Sequence, residues 1–135
     1  RGVQLVLTGS VDNREELRRL LDAADIYASG SRAEGLPRAT IEAMARGLPV
    51  VTTNAGAARE LVRESCVTPL GDYKALAAAI AALADDDEMC SAVGEENRKR
   101  ARELAELASP ERLVVFLREA AAVLTDSTGG GHVDD

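Results

Sequence analysis

The stretch AEGLPRATIEAMARGLPVV, residues 33–51, contains a helix with both of its ends marked in the sequence. Pro37 suits the first turn of a helix, where its missing N–H has no partner to lose, and Gly47 suits the C-terminal cap. The apolar residues Val50 and Val51 follow at once and predict a buried strand. A helix followed so closely by a strand is typical of an α/β fold.

Strands and helices alternate on both sides of this stretch. Apolar runs predict four short strands: Val3–Leu7, DIYAS from Asp25, PVVTT from Pro49 and CVTPL from Cys66. Signals for helix starts occur at Asp12 with Glu15 in capping-box spacing, at Asp72, at DDDEM (residues 85–89) and at Ser109. This order predicts right-handed βαβ units and a parallel, Rossmann-like sheet with helices on both faces.

The C-terminal part is predicted to be helical. The helix that begins at DDDEM is expected to be interrupted near Gly94, and the last helix is expected to end near Leu124. We therefore expect one domain over residues 1–124. Residues 125–135, TDSTGGGHVDD, predict a flexible tail that holds the only histidine, His132.

Composition argues against several classes of function. A net charge of −7 disfavours nucleic acid or an anionic membrane as the main partner, and 2% aromatic residues leave few stacking platforms for single strands. Cys66 and Cys90 form neither a disulfide framework nor a zinc motif, which indicates a reducing, cytoplasmic environment. No apolar run approaches a membrane span. Because the chain begins with Arg1 before an apolar run, we expect a piece of a longer polypeptide; any association with the inner face of the membrane would come from other parts.

The candidate site lies in the loops that follow the predicted strands, at residues 8–13, 29–37 and 52–58. In a parallel sheet these loops gather at the carboxyl edge, where ligands bind. The N–H groups of Arg38 and Ala39 lie in the first helical turn and suit an anion such as a diphosphate, and Gly35 permits close approach. Glu34 could accept hydrogen bonds from hydroxyl groups, and Glu42 from a diol such as a ribose.

A purely structural interpretation explains the same residues. Arg38 and Glu42 could form an ordinary i,i+4 surface pair, worth a few tenths of a kcal/mol, and Glu34 could be a solvated loop acid. Gly9 could simply end a strand. Three further residues flank a loop near the candidate site, and turn or helix-start roles account for them equally well: Asn54, Gly56 and Glu60.

The motif EGLPRATIEAMARGLPVV resembles the signature of family-4 retaining glycosyltransferases, whose two-domain architecture is called GT-B. That family carries two glutamates separated by seven residues, as Glu34 and Glu42 are here. DIYASGSRAEG before the motif, ARELV after it and PLGDYKALAAAI further on also fit, so the resemblance covers roughly residues 3–124. It implies part of the C-terminal, donor-binding half of a GT-B fold.

The resemblance implies a role for each matching residue. Glu34 would act at the catalytic centre by contacting hydroxyls of the donor sugar, and Glu42 would bind the ribose. Backbone amides would approach the sugar and the diphosphate, and the LTGSV stretch would lie against the nucleobase. The residues that would carry these donor contacts are Gly35, Leu36, Arg38 and Ala39 for the amides, and Gly9 and Val11 for the base.

The chain also departs from the family pattern. Pro37 stands where many members have a second glycine, which removes one N–H donor from the phosphate site. The basic pair that grips the diphosphate in the family lies upstream of the LTG block and has no match here. The N-terminal domain that binds the acceptor is likewise absent from these residues.

The leading hypothesis is therefore the donor-binding portion of an enzyme that moves a hexose from a UDP- or GDP-linked sugar to a carbohydrate or lipid acceptor. The alternative is a non-catalytic nucleotide-binding or interaction module with the same fold. An oxidoreductase is disfavoured because no G-x-G-x-x-G follows a strand. No metal or cofactor motif is recognisable, and we expect the fragment alone to be inactive, with an exposed sheet edge open to self-association.

Overall fold

A computed structural model describes residues 2–35 and 37–127 of the chain. The chain divides into two compact units, Arg1–Arg102 and Glu103–Asp135. In chain order the elements are α1 (Arg14–Ala23), β1 (Tyr27–Ser29), α2 (Arg38–Ala45), β2 (Val50–Thr53), α3 (Ala58–Leu61), a 3₁₀ turn (Glu64–Cys66), β3 (Val67–Thr68), α4 (Tyr73–Ala84), α5 (Asp87–Leu107) and α6 (Pro110–Ser127).

The three strands form one parallel sheet in the order β1-β2-β3. Tyr27 lies opposite Val50, and Thr52 lies opposite Val67. Helix α2 packs on β1 and β2, and α4 packs on β2 and β3. Both faces of the central strand are covered, because all four residues of β2 are buried. The predicted α/β class with a parallel sheet is confirmed.

The core is built from aliphatic and sulfur-containing side chains. Met44 of α2, Leu83 of α4 and Val93 of α5 are almost completely buried together with Val50 and Val51 of the central strand.

Helix α2 ends as its sequence predicts. Gly47 adopts the left-handed conformation with φ +76, its N–H donates to Met44 O at 2.9 Å, and the Leu48 N–H donates to Ala43 O at 3.1 Å. These two bonds define a Schellman cap, which a glycine makes at little conformational cost. The cap turns the chain directly into β2.

Several predicted boundaries are wrong. Residues 3–7 form no strand and are exposed, because an apolar run becomes a strand only when a neighbour accepts its backbone hydrogen bonds, and no described strand pairs with it. Asn13, not Asp12, caps α1: its side chain accepts from the N–H groups of Glu15 and Glu16. Pro37 is the N-cap of α2 and not its first helical residue.

The C-terminal helices also differ from the prediction. Helix α5 continues without interruption through Gly94, and α6 extends to Ser127, three residues past the expected end. Ser109 caps α6 as predicted, since its hydroxyl accepts from the Arg112 N–H at 3.3 Å. The rest of the predicted tail, residues 128–135 with His132, lies outside the described residues.

Candidate functional site

The loops that follow β1 and β2 meet at the carboxyl edge of the sheet. Gly56, with φ +55, lies so close to the backbone of the first loop that a Cβ at this position would meet Glu34 O and would lie 3.0 Å from Gly35 O. The Thr53 hydroxyl donates a hydrogen bond to Ser31 O. Two of the three predicted loops are therefore brought together, and Gly56 is required by this contact as well as by its turn.

Glu34 lies on the exposed side of the first loop, with its carboxylate held from within that loop. The Ser31 hydroxyl donates to Glu34 Oε1 at 2.6 Å, and the Ser29 hydroxyl donates to Ser31 Oγ at 3.3 Å. This chain of hydroxyl groups leads from the end of β1 to the carboxylate. The arrangement leaves Oε2 of Glu34 without a hydrogen bond from the serine pair.

Tyr27 of β1 points its phenol toward the same edge. Burial raises the pKa of Tyr27, a hydrogen bond with the Thr40 side chain lowers it, the Glu34 charge raises it, and a hydrogen bond with Ser29 lowers it. Burial has the largest effect on the pKa, and it raises the pKa because it disfavours the charged phenolate. The neutral phenol therefore links β1, the first turn of α2 and the neighbourhood of Glu34.

Helix α2 begins at this edge without a side-chain cap from the described residues. Helix α3, which follows β2, begins without one as well. The helices that begin elsewhere are each capped by a side chain, namely Asn13 for α1, Asp72 for α4, Asp86 for α5 and Ser109 for α6. The N–H groups of the first turn of α2, including Arg38 and Ala39, are thus available to another acceptor.

Glu42 lies in the second turn of α2 and is partly buried. Among the described residues, no ion pair joins Arg38 to Glu42, so the simple i,i+4 pairing considered from the sequence is not seen. Leu36 lies outside the described residues, and the structure gives no account of its predicted donor contact.

The segment with Gly9 and Val11 follows no strand among the described residues. Val11 lines a cleft with Leu7 and with Leu20 of α1, and neither predicted glutamate contributes to that cleft. Gly9 adopts the left-handed conformation with φ +59, and no neighbouring atom lies within 4 Å of where a Cβ would stand. Contact of these residues with a nucleobase stays a prediction.

An exposed arginine ties the first loop to another helix start. Arg32 Nη2 donates to the Tyr73 hydroxyl of α4 at 3.3 Å, and this hydrogen bond raises the pKa of Arg32.

Within the described part of the chain, no group of histidine, cysteine and acidic residues could hold a metal ion. No helix in that part is long and apolar enough to cross a membrane.

A parallel sheet with polar loops meeting at its carboxyl edge defines the class of open α/β ligand-binding domains. Comparison with known proteins narrows the class. The model of the family described as glycosyl transferases group 1 matches residues 2–100, so the chain belongs to this family. The predicted resemblance to glycosyltransferases is confirmed at this level.

Two relatives and one solved structure are consistent with this family assignment. The chain is 34% identical to MMP alpha-(1->4)-mannosyltransferase of Mycolicibacterium hassiacum over 87% of its own length and 29% of the relative. It is 36% identical to the putative colanic acid biosynthesis glycosyltransferase WcaL of Escherichia coli, over 81% of the chain and 28% of the relative. It also matches sucrose-phosphate synthase from Thermosynechococcus elongatus with a TM-score of 0.69 and 26% identity, over 89% of the chain and 30% of that protein. The chain therefore spans less than a third of each of these proteins, and its fold matches part of a GT-B glycosyltransferase.

Three polar residues at this edge were not identified from the sequence: Ser31, Tyr27 and Thr53. The spacing of Ser31 and Glu34, with the serine three residues ahead of the acid, is the same as in a capping box and could have indicated a side-chain contact. No comparable signal exists for Tyr27 or Thr53, since their contacts depend on how β1, β2 and α2 pack.

Proposed function

We propose that these residues form the donor-binding portion of a retaining glycosyltransferase. The enzyme would take a hexose from a UDP- or GDP-linked sugar and transfer it to a carbohydrate or lipid acceptor bound by an N-terminal domain. The names of the relatives support this class, because they include a mannosyltransferase and an enzyme of colanic acid biosynthesis. Retention of configuration rests on the family-4 resemblance of the Glu34–Glu42 motif.

The observation that carries the proposal is the uncapped start of α2 at the carboxyl edge. Backbone N–H groups at a helix start, together with the helix dipole, suit an anion such as the diphosphate of a nucleotide sugar. Pro37 contributes no N–H, so Arg38 and Ala39 would supply the first donors. As the bond to the sugar breaks, these donors would stabilise the charge that develops on the leaving diphosphate.

The two glutamates would recognise the neutral parts of the donor. Glu34 has its Oε1 occupied by Ser31 and its side chain exposed, so Oε2 can accept from a sugar hydroxyl. Glu42 has no ion pair with Arg38 among the described residues and could accept from the ribose diol. Hydrogen bonds to charged acceptors are the stronger kind, each worth about 1.5–3 kcal/mol.

A proline substitution tests the backbone donor directly. Arg38→Pro removes the N–H at the first helical position, where proline is tolerated, and Arg38→Ala removes only the side chain. In the full-length protein we expect Arg38→Pro to weaken UDP or GDP binding by roughly ten-fold relative to Arg38→Ala, measured by calorimetric titration.

Arg14→Pro is the matched control, because Arg14 holds the same first position in α1, a helix capped by Asn13. It should leave nucleotide affinity unchanged. Equal affinity of Arg38→Pro and Arg38→Ala would contradict the proposed diphosphate site. Binding of nucleotide sugars without any transfer to acceptors would instead favour the alternative, a non-catalytic nucleotide-binding or interaction module.

A further inference from the structure

We infer that Ser31 is a positioning residue for the donor sugar, acting through the carboxylate of Glu34. The inference rests on the proposed function and deepens it, because it concerns what orients the glutamate that would meet the sugar. The hydrogen bond from the Ser31 hydroxyl to Glu34 Oε1, at 2.6 Å, is the contact that carries it.

The position of Ser31 is itself determined by the sheet. Its carbonyl accepts a hydrogen bond from Thr53, which is fully buried at the end of β2. Its hydroxyl oxygen accepts from Ser29, the last residue of β1. Both anchors belong to strands paired in register, with Ser29 opposite Thr52. Ser31 is therefore held to the rigid sheet from two sides, although it lies in a loop.

Through its hydroxyl, Ser31 restrains the exposed side chain of Glu34. A glutamate at a loop surface has several rotamers, and each rotamer lost on binding costs free energy. Because Ser31 donates to one carboxylate oxygen, that oxygen is fixed and the other is left to accept from a ligand hydroxyl. Gly56 packs against the Glu34 carbonyl and restrains the backbone beside it.

This arrangement predicts different effects of a Ser31 substitution on two classes of ligand. Loss of the Ser31 hydroxyl should weaken binding of nucleotide sugars but leave binding of the nucleoside diphosphates alone unchanged, since the latter have no sugar for Glu34 to meet. A merely structural role would weaken both. The effect should also vanish when Glu34 is removed, because Ser31 acts through it.

The test is calorimetric titration of the full-length protein with four probes: UDP, GDP, UDP-glucose and GDP-mannose. We expect Ser31→Ala to weaken binding of the accepted nucleotide sugar about threefold to tenfold and to leave UDP and GDP affinity at the wild-type value. Ser31→Thr keeps the hydroxyl and should restore affinity to within about twofold of wild type. In the Glu34→Ala background, Ser31→Ala should have no further effect.

Ser91→Ala, on the exposed face of α5, is the matched control for a serine-to-alanine change. Thermal unfolding of each variant separates a loss of folding from a loss of sugar contact, and Ser31→Thr provides the comparison if Ser31→Ala does not fold. Wild-type affinity of Ser31→Ala for the nucleotide sugar, while Glu34→Ala is weakened, would overturn the inference alone. If the wild-type protein binds none of the four probes, the proposed function is overturned and the inference with it.

Discussion

Single side chains at the carboxyl edge differ in how firmly the fold holds them. Glu34 is oriented by Ser31, whereas Glu42 projects from a regular helix with no ion pair to Arg38 among the described residues. Tyr27 lies between these extremes, because its ring is partly buried while its phenol reaches polar groups. Orientation before binding is what reduces the entropic cost of recognising a ligand.

Tyr27 should make the stability of the protein depend on pH in the alkaline range. Its pKa in the folded protein lies above the ordinary value of 10.0, chiefly through burial. The folded state therefore keeps the phenol proton longer than the unfolded chain does. The stabilising contribution is complete below the unfolded pKa and is lost as pH rises through the folded pKa.

We expect the free energy of unfolding to fall less steeply above pH ~10 in Tyr27→Phe than in the wild type, because the phenylalanine cannot ionise. Urea titrations at a series of alkaline pH values would measure this. Identical pH profiles for wild type and Tyr27→Phe would show that the Tyr27 phenol does not contribute to the pH dependence of the free energy of unfolding.

Among the elements, α5 holds the turn that joins α2 to β2. Asn97 is buried, and its Nδ2 donates to Leu48 O at 2.8 Å; Arg98 Nη2 donates to Arg46 O at 3.2 Å. Gly94 lies against Gly47 O so closely that a Cβ would collide with it. The two side-chain hydrogen bonds satisfy the carbonyl of Arg46, the C-cap of α2, and the carbonyl of Leu48 in the turn before β2.

Gly94→Ala separates helix propensity from packing. Propensity alone would stabilise α5 by about 1 kcal/mol, since alanine is the better helix former. Overpacking against Gly47 O opposes this and typically costs about 1–3 kcal/mol, and backbone cannot move aside as a flexible side chain could. We expect a net loss in the free energy of unfolding, measured by urea titration.

Ala92→Gly calibrates the propensity effect in the same helix, because Ala92 is exposed. It should cost about 1 kcal/mol. A Gly94→Ala protein more stable than the wild type would show that α5 does not press on the α2–β2 turn as described.

For the whole molecule, the described residues leave apolar surface and backbone edges uncovered. Val3, Leu5 and Leu7 are exposed, Leu7 by 86%, and β1 and β3 each pair on one side only within the described sheet. Such edges favour association with other chains. Self-association of residues 1–135 stays a prediction, which sedimentation velocity over a range of concentrations would test.

From the proposed function, we expect residues 1–135 alone to make no detectable transfer product and the full-length protein to make one. The chain spans only 28–29% of the two glycosyltransferase relatives described above. Orientation of donor and acceptor by the remaining parts can be worth about 7–11 kcal/mol, and each 1.4 kcal/mol is roughly ten-fold in rate. The measurement is product formation by both proteins from UDP-glucose or GDP-mannose and the acceptor of the full-length protein. Comparable turnover would overturn the donor-portion proposal.

Much of the candidate site could be predicted because its signals are short-range. The glutamates lie on the loop and helix where the motif places them, and Gly35 and Gly56 lie in the loops that the strand pattern identifies. The contact between those loops could not be predicted, because it joins residues more than twenty positions apart through the sheet. Residues 8–13 were expected at the same edge only because a strand was expected before them.

The sequence by itself determined the α/β class, the C-terminal end of α2 and the caps at Asp72 and Ser109, because a glycine or a capping side chain acts within a few residues of its own position. Tertiary structure alone decided that residues 3–7 pair with no described strand and that Gly94 continues a helix in contact with Gly47. It also decided that the Thr53 hydroxyl anchors the loop that carries Ser31 and Glu34. Strand pairing and close packing depend on residues that are far apart in the sequence, and local sequence patterns do not specify which of these residues meet.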